Sequence, residues 1–322
     1  MKRILLFMLM LILAMGMLVA CGGDDKEEDA SSGGKKTSKT SDKKDLPQPI
    51  DALRVAYRKT VSEESAKMKF TTVMSGMPTG QTVDGVAQEG EFRMTGTGIA
   101  SLGGKASRFT MVMDTLGSFE VRRVDDVVYQ KMPREMTAEI PGNKPWVAMD
   151  LDTFYEDQVG ASYSGLEATN PTNPTGQLEA LKDVGSVKKI GEEKVRGADT
   201  THYRAVTDLK EAAKDGGPDV RKAYEKMMEQ LGTSKLPTEV WIDEEGRARR
   251  FQMDTTTKVP APDPATDETT EMEVQMSMTQ EMFDFGTPIN VSPPPQDKTM
   301  TQDELEQRIS EMQESTVLAP TT

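Results

Sequence analysis

The chain has 322 residues, of which 36% are hydrophobic and 5% aromatic, so part of it does not contribute to a packed core. Lys and Arg total 39 against 53 Asp and Glu, a formal charge of −14 that repels nucleic-acid phosphates and anionic headgroups. One cysteine and one histidine exclude disulfide scaffolds, Cys/His zinc sites and, unless His202 alone serves, a Ser-His-Asp triad, so the composition argues against an enzyme.

Lys2 and Arg3 precede an uninterrupted stretch without charge over residues 4–20. Its length falls between a signal h-region and a spanning helix. Leu18-Val19-Ala20-Cys21 at its end has the form of a bacterial lipobox, in which small residues precede a cysteine that becomes the acylated N-terminus. Residues 1–20 are therefore predicted to be a signal peptide and Cys21 the lipidation site. Its diacylglyceryl and palmitate-type chains hold the protein on the extracytoplasmic face of the cell membrane. Two or more buried chains make such anchoring stable where one does not. Residues 21–49 read as a tether, because Ala30 is the sole apolar residue between Gly23 and Leu46 and nothing there offsets the entropy of ordering. A flexible chain of this length reaches about 30 Å.

From residue 50 the pattern changes. Ile50, Leu53, Tyr57 and Val61 recur at spacings of three and four, predicting a helix to about residue 65. The period then becomes two, with Met68, Phe70, Thr72 and Met74 on one side. Short alternating segments follow at residues 91–94, 108–114, 119–124 and 127–132, with turns expected at 96–104, Gly117 and Asp125-Asp126. Next come a helical turn near 150–156, a Pro/Asn/Gly loop at 163–176, a short helix at 177–182, and strands at 187–193 and 200–207 around Arg196-Gly197. The clearest helix is residues 218–231: Pro218 opens it, Val220, Tyr224, Met227, Met228 and Leu231 form its stripe, and Gly232 closes it. Strands at 239–243 and 247–256 form a hairpin across Glu244-Glu245-Gly246, and another strand spans 272–278. A folded domain over residues 50–292 then gives way at Pro293-Pro294-Pro295 to a tail, 293–322. There the capping-box pattern Thr301-x-x-Glu304 introduces a short helix bearing Leu305, Ile309 and Met312. Strands meeting a few helices without βαβ rhythm give an α+β class: one curved antiparallel half-barrel sheet with helices on its concave side.

Methionine is the unusual residue, 23 in all. Outside the signal, many fall on single strand faces with phenyl groups. Met68, Phe70 and Met74 share one strand, Phe92 and Met94 the next, and Phe109, Met111 and Met113 a third. Phe251 and Met253 form a fourth set, and Met272, Val274, Met276 and Met278 a fifth. If these strands are neighbours, they make a broad polarisable surface suited to a variable acyl chain. The competing reading is that each simply packs beneath the helices as core. Other signals are weaker. His202 has no local serine or carboxylate constellation, and Ser186-x-x-Lys189 is matched by Ser41-x-x-Lys44 in the tether. Acidic residues such as Asp263, Asp267 and Glu268 lack calcium-loop spacing. Trp146 and Trp241 either rim a cavity or pack. No catalytic residue, metal site or cofactor is expected.

Several stretches together resemble the LppX/LprG-type actinobacterial lipoproteins: Val127-Val-Tyr129, Lys144-Pro-Trp146-Val-Ala-Met-Asp150, Gly191-Glu-Glu-Lys-Val-Arg-Gly197 running on to His202-Tyr203, and Pro237-Thr-Glu-Val-Trp241-Ile-Asp243. The resemblance spans residues 50–291, and none of its motifs is catalytic. It implies a LolA-like half-barrel of about eleven strands closed by helices over a hydrophobic cavity. It further implies an acylated lipid or glycolipid as ligand, and leaves open a membrane transporter as partner. The alternative is an anchored interaction or sensor domain of the same fold with a filled core.

Overall fold

Helix α1 (Pro49–Val61) forms where the apolar spacing predicts it and buries Leu53, Ala56 and Thr60. The computed structural model describes residues 49–83, 86–114, 117–133, 137, 144–153, 184–215, 217–262 and 269–317. The signal segment, Cys21, most of the tether, the loop at 163–176, the helix at 177–182 and the acidic residues 263–268 lie outside them.

The strands are β1 (Ser65–Val83), β2 (Val86–Ser101), β3 (Ala106–Met113), β4 (Gly117–Val124), β5 (Val127–Lys131) and β6 (Trp146–Asp150) in the first half. After residue 183 follow β7 (Val184–Val195), β8 (Ala198–Asp208), helices α2 (Leu209–Asp215) and α3 (Pro218–Leu231), then β9 (Lys235–Asp243), β10 (Ala248–Pro262) and β11 (Thr269–Phe283). β12 (Thr299–Thr301) and helix α4 (Gln302–Val317) complete the order. Among the described residues the strands join one 12-stranded sheet in the order β12-β6-β5-β4-β3-β2-β1-β11-β10-β9-β8-β7. It is open, its edges being β12 and β7, and antiparallel throughout except for the parallel pair β12–β6. This is the expected α+β half-barrel, with one strand more than the resemblance implied.

Three expectations are corrected. The glycines at 96–104 do not form a turn along their whole length, because β2 runs through Gly96 and Gly98 to Ser101. A Cβ on Gly96 would lie 2.1 Å from Cζ of Phe70, and one on Gly98 2.7 Å from Cδ1 of Phe109. Those two rings lie across the glycines and meet edge to face at 5.5 Å, a contact worth about 1 kcal/mol. The glycines are thus strand residues that make room for aromatic packing. Second, the tail after Pro295 returns to the sheet, where Thr299–Thr301 pair with β6; Met300 and Leu305 are buried, and Lys144 Nζ donates to Glu304 at 3.1 Å. Third, the strands flanking the centre are long, β1 reaching 19 residues and β10 and β11 15 each.

Both expected caps form. Gly232 adopts a left-handed φ of 64° and its N–H donates to the Glu229 carbonyl, a conformation that favours glycine. The Thr301 hydroxyl accepts from the Glu304 N–H at 3.2 Å at the start of α4.

Candidate functional site

The ladder register decides whether the five local faces read from the sequence become one. In β1–β2, Met74 opposes Phe92 and Thr72 opposes Met94. In β2–β3, Met94 opposes Met113, Gly96 opposes Met111 and Gly98 opposes Phe109. On the other side of β1, Met68 faces Met282, Thr72 faces Met278 and Met74 faces Met276. β10 continues the row, with Met253 opposite Met278, Phe251 opposite Gln280, Thr257 opposite Val274 and Val259 opposite Met272. Because directly opposed residues in an antiparallel pair share a face, every residue named from the sequence lies on one side of β3-β2-β1-β11-β10.

The helices divide that face into two apolar clusters. Met68, Met94, Phe109, Met111, Met113 and Phe251 are buried in the cluster that contains Leu53 and Ala56 of α1, with Phe70 packed against it. Met74, Met253, Val274 and Met276 are buried with Leu209, Ala212 and Ala213 of α2 and Tyr224, Met227 and Leu231 of α3. Phe92, Met272 and Met278 pack against this second cluster. The helix at 218–231 thus covers methionines, and the boundary between the clusters passes between Phe70 and Met278, which occupy successive rows of the ladder. Phe70, Phe92, Met272 and Met278 are only partly buried.

The opposite side of the sheet is polar, and it holds a titratable cluster that sequence reasoning missed. His202 opposes Trp241 in β8–β9, and the two rings stack at 4.2 Å and 11°. His202 Nε2 lies 2.7 Å from Glu239 Oε2, and Arg204 Nε donates to the other oxygen of Glu239. The Trp241 indole N–H donates to Glu193, and the Arg250 guanidinium sits 5.3 Å from the Trp241 ring. Glu281 receives Arg250 Nη2 at 2.7 Å and Arg196 Nε at 2.8 Å. Burial pushes the Glu281 carboxyl up, but the bonds and charges of the two arginines outweigh this and hold it below its ordinary 4.5. The partners are spread over β7, the β7–β8 turn, β8, β9, β10 and β11, so no local motif announces the cluster. Trp146 also lies away from the methionine face, between Arg122 at 4.7 Å and Lys131 at 5.8 Å. Neither tryptophan rims the apolar surface.

Among the described residues no group of three His, Cys, Asp or Glu side chains is placed to hold a metal ion. Also among them, no helix is long and apolar enough to cross a membrane.

No protein-family model matches the chain. It is 26% identical over 250 residues to an uncharacterized 31.2 kDa protein of the rplA-rplJ intergenic region of Streptomyces griseus, covering 70% of this chain and 79% of that one. It is 28% identical over 153 residues to a candidate lipoprotein of Streptomyces coelicolor, 48% of this chain and 53% of the other. Among solved structures it is similar to the Mycobacterium tuberculosis lipoprotein LppX, at 14% identity and a TM-score of 0.43, covering 76% of this chain and 97% of that one. It is also similar to LprF from Mycobacterium bovis, at 10% identity and a TM-score of 0.36, covering 77% and 98%. A LolA superfamily protein of Nitrosomonas europaea matches at 9% identity and a TM-score of 0.24, covering 78% and 96%. Of these proteins, the one from Streptomyces coelicolor is described as a candidate lipoprotein and LppX as a lipoprotein.

Proposed function

We propose that this protein is a lipid-anchored, non-catalytic carrier that takes the acyl part of a lipid or glycolipid on the methionine-bearing face of its sheet. The observation that carries the reading is the convergence of thioether and phenyl groups from five neighbouring strands on a single face beneath the helices. Thioethers are polarisable and adopt many rotamers, so such a face conforms to flexible chains of varied shape. The partly buried Phe70, Phe92, Met272 and Met278 mark where a chain enters, along the seam between the α1 cluster and the α2–α3 cluster.

A second reading, the anchored domain with a closed core, has its own support. Most of the face is already packed, since Met68, Phe251 and Met111 are buried against helix and strand neighbours. Native mass spectrometry of the chain from residue 21 onward, carrying Cys21→Ala so that no acyl group is attached covalently, distinguishes the two. Co-purified lipid of defined mass, displaced by added triacylglycerol, is the expected result. Protein recovered bare, and still bare after incubation with lipid vesicles, would leave the closed-core reading standing.

Anchoring rests on the lipobox at residues 18–21 and on similarity to a candidate lipoprotein. Cys21→Ala in the full chain is expected to abolish lipid modification and leave the protein unprocessed or released. Acylated, normally processed protein from that variant would refute Cys21 as the attachment point.

A further inference from the structure

Gln280 sits in the middle of the methionine-bearing face, between Phe70 on one side and Phe251 on the other. It is 2% exposed, and its amide Nε2 finds no hydrogen-bond partner among the described residues. A buried amide donor without an acceptor costs stability, and apolar surroundings enlarge that cost. Sheets normally avoid it, since the great majority of buried polar groups are paired. Thr255, which opposes Met276 two ladder rows away, likewise has a buried hydroxyl oxygen without a partner among the described residues. Between the two rows lie Met253 and Met278, directly opposed. An apolar surface therefore carries two unsatisfied polar groups about 13 Å apart along the strands, at 3.3 Å per residue.

The character of these groups restricts what completes them. A primary amide donates to an uncharged acceptor without taking on charge, and the residues directly opposite Gln280 on the two neighbouring strands, Phe70 and Phe251, supply no cation to balance an anion. The neighbours Phe70, Phe251 and Met278 are apolar, so the acceptor must arrive on an otherwise hydrocarbon ligand. We infer that Gln280 donates a hydrogen bond to the carbonyl oxygen of an ester- or amide-linked acyl chain, making it the polar anchor of the lipid site. Thr255 is a second contact for the same class of ligand. The inference rests on the lipid-carrier reading above and narrows it. Pure hydrocarbon and ether-linked chains fit the apolar rows but leave Gln280 unsatisfied, so they bind less well.

The test uses the chain from residue 21 onward with Cys21→Ala, incubated with phosphatidylcholine vesicles doped with trioleoylglycerol or with its tri-ether analogue. Lipid carried per protein is read by native mass spectrometry. The chain is expected to take up the ester about three- to tenfold more than the ether, the worth of one neutral hydrogen bond. Gln280→Leu and Gln280→Met are expected to reduce that ratio to about one, and to melt no lower than the parent, because a buried unpaired donor has been removed. Equal uptake of ester and ether by the parent would overturn the role of Gln280 while leaving lipid carriage intact. A preference that survives both substitutions would do the same. Uptake of neither lipid would overturn the carrier reading itself. If both variants unfold, the amide is structurally engaged and the inference falls. Thr255→Val in the otherwise unchanged chain is expected to lower ester uptake by a smaller factor than Gln280→Leu and to leave the ether unaffected.

Discussion

Gly98→Ala is expected to destabilise the folded sheet by about 3 kcal/mol, the upper range for overpacking a single methyl group. A Cβ at this position would lie 2.0 Å from the carbonyl oxygen of Arg108 and 2.8 Å from Cα of Phe109. Both are backbone atoms of β3, so no rotamer change relieves the clash and the β2–β3 ladder has to part. Gly96→Ala is the internal control. Its added methyl would meet the ring of Phe70, whose Cζ lies 2.1 Å away, and a ring can swing where a carbonyl cannot. A smaller loss, on the order of 1 to 2 kcal/mol, is expected there. Urea unfolding of both variants reads the difference as a shift in midpoint at constant slope. If the two midpoints coincide, the contact with the β3 backbone does not limit what position 98 accepts. The experiment also bears on the site, because Phe70 borders the seam between the two apolar clusters. Gly96→Ala should disturb lipid uptake more than its modest loss of stability would suggest.

The period-two spacing of methionines was legible because it is local, and an antiparallel ladder preserves it. Met111 opposite Gly96 and Met276 opposite Met74 keep each strand's inner side inner. What failed to show was everything set by distant partners. The glycine pair at 96 and 98 looks like a turn until the rings of Phe70 and Phe109 are placed over it. β6 and β12 are 5 and 3 residues long, too short for periodicity, and they recognise each other across the whole middle of the chain. α2, with 7 residues, carries barely two turns and no stripe. Its alanines gain their role only by packing beside Met74 and Met276. His202 was read as isolated because Glu239 belongs to the next strand, and nothing in the Thr-Thr-His-Tyr stretch points to it. Gln280 lies just beyond the strand expected at 272–278. An unsatisfied amide is in any case a property of the packed state, not of spacing.

Lysine substitutions within the methionine face are expected to split into two classes according to depth. Met111 and Met276 are 7% and 6% exposed, one in the cluster under α1 and the other against α2 and α3. A lysine at either place has no carboxylate opposite it, since the ladder neighbours are Gly96 and Phe119 for one and Met74 and Thr255 for the other. Burying that unpaired ammonium costs about 3 to 5 kcal/mol, a large share of the 5 to 15 kcal/mol typical of a folded protein. Met111→Lys and Met276→Lys should therefore melt far below the parent or aggregate, whether or not the face carries lipid. Met278 is only partly buried, one row from Phe70 at the seam. A lysine there can lay its methylenes along Met253 and extend its amine to water, so Met278→Lys should stay folded with a small loss of melting temperature. On the carrier reading that amine occupies the entrance to the site and lipid occupancy falls sharply. On the closed-core reading there is no occupancy to lose. Melting curves combined with lipid recovery for all three variants separate these outcomes. A folded Met111→Lys would show that the α1 cluster yields readily to water and that the deep rows, not the seam, receive the ligand. A folded Met278→Lys that retains full lipid occupancy would remove the seam from the binding path.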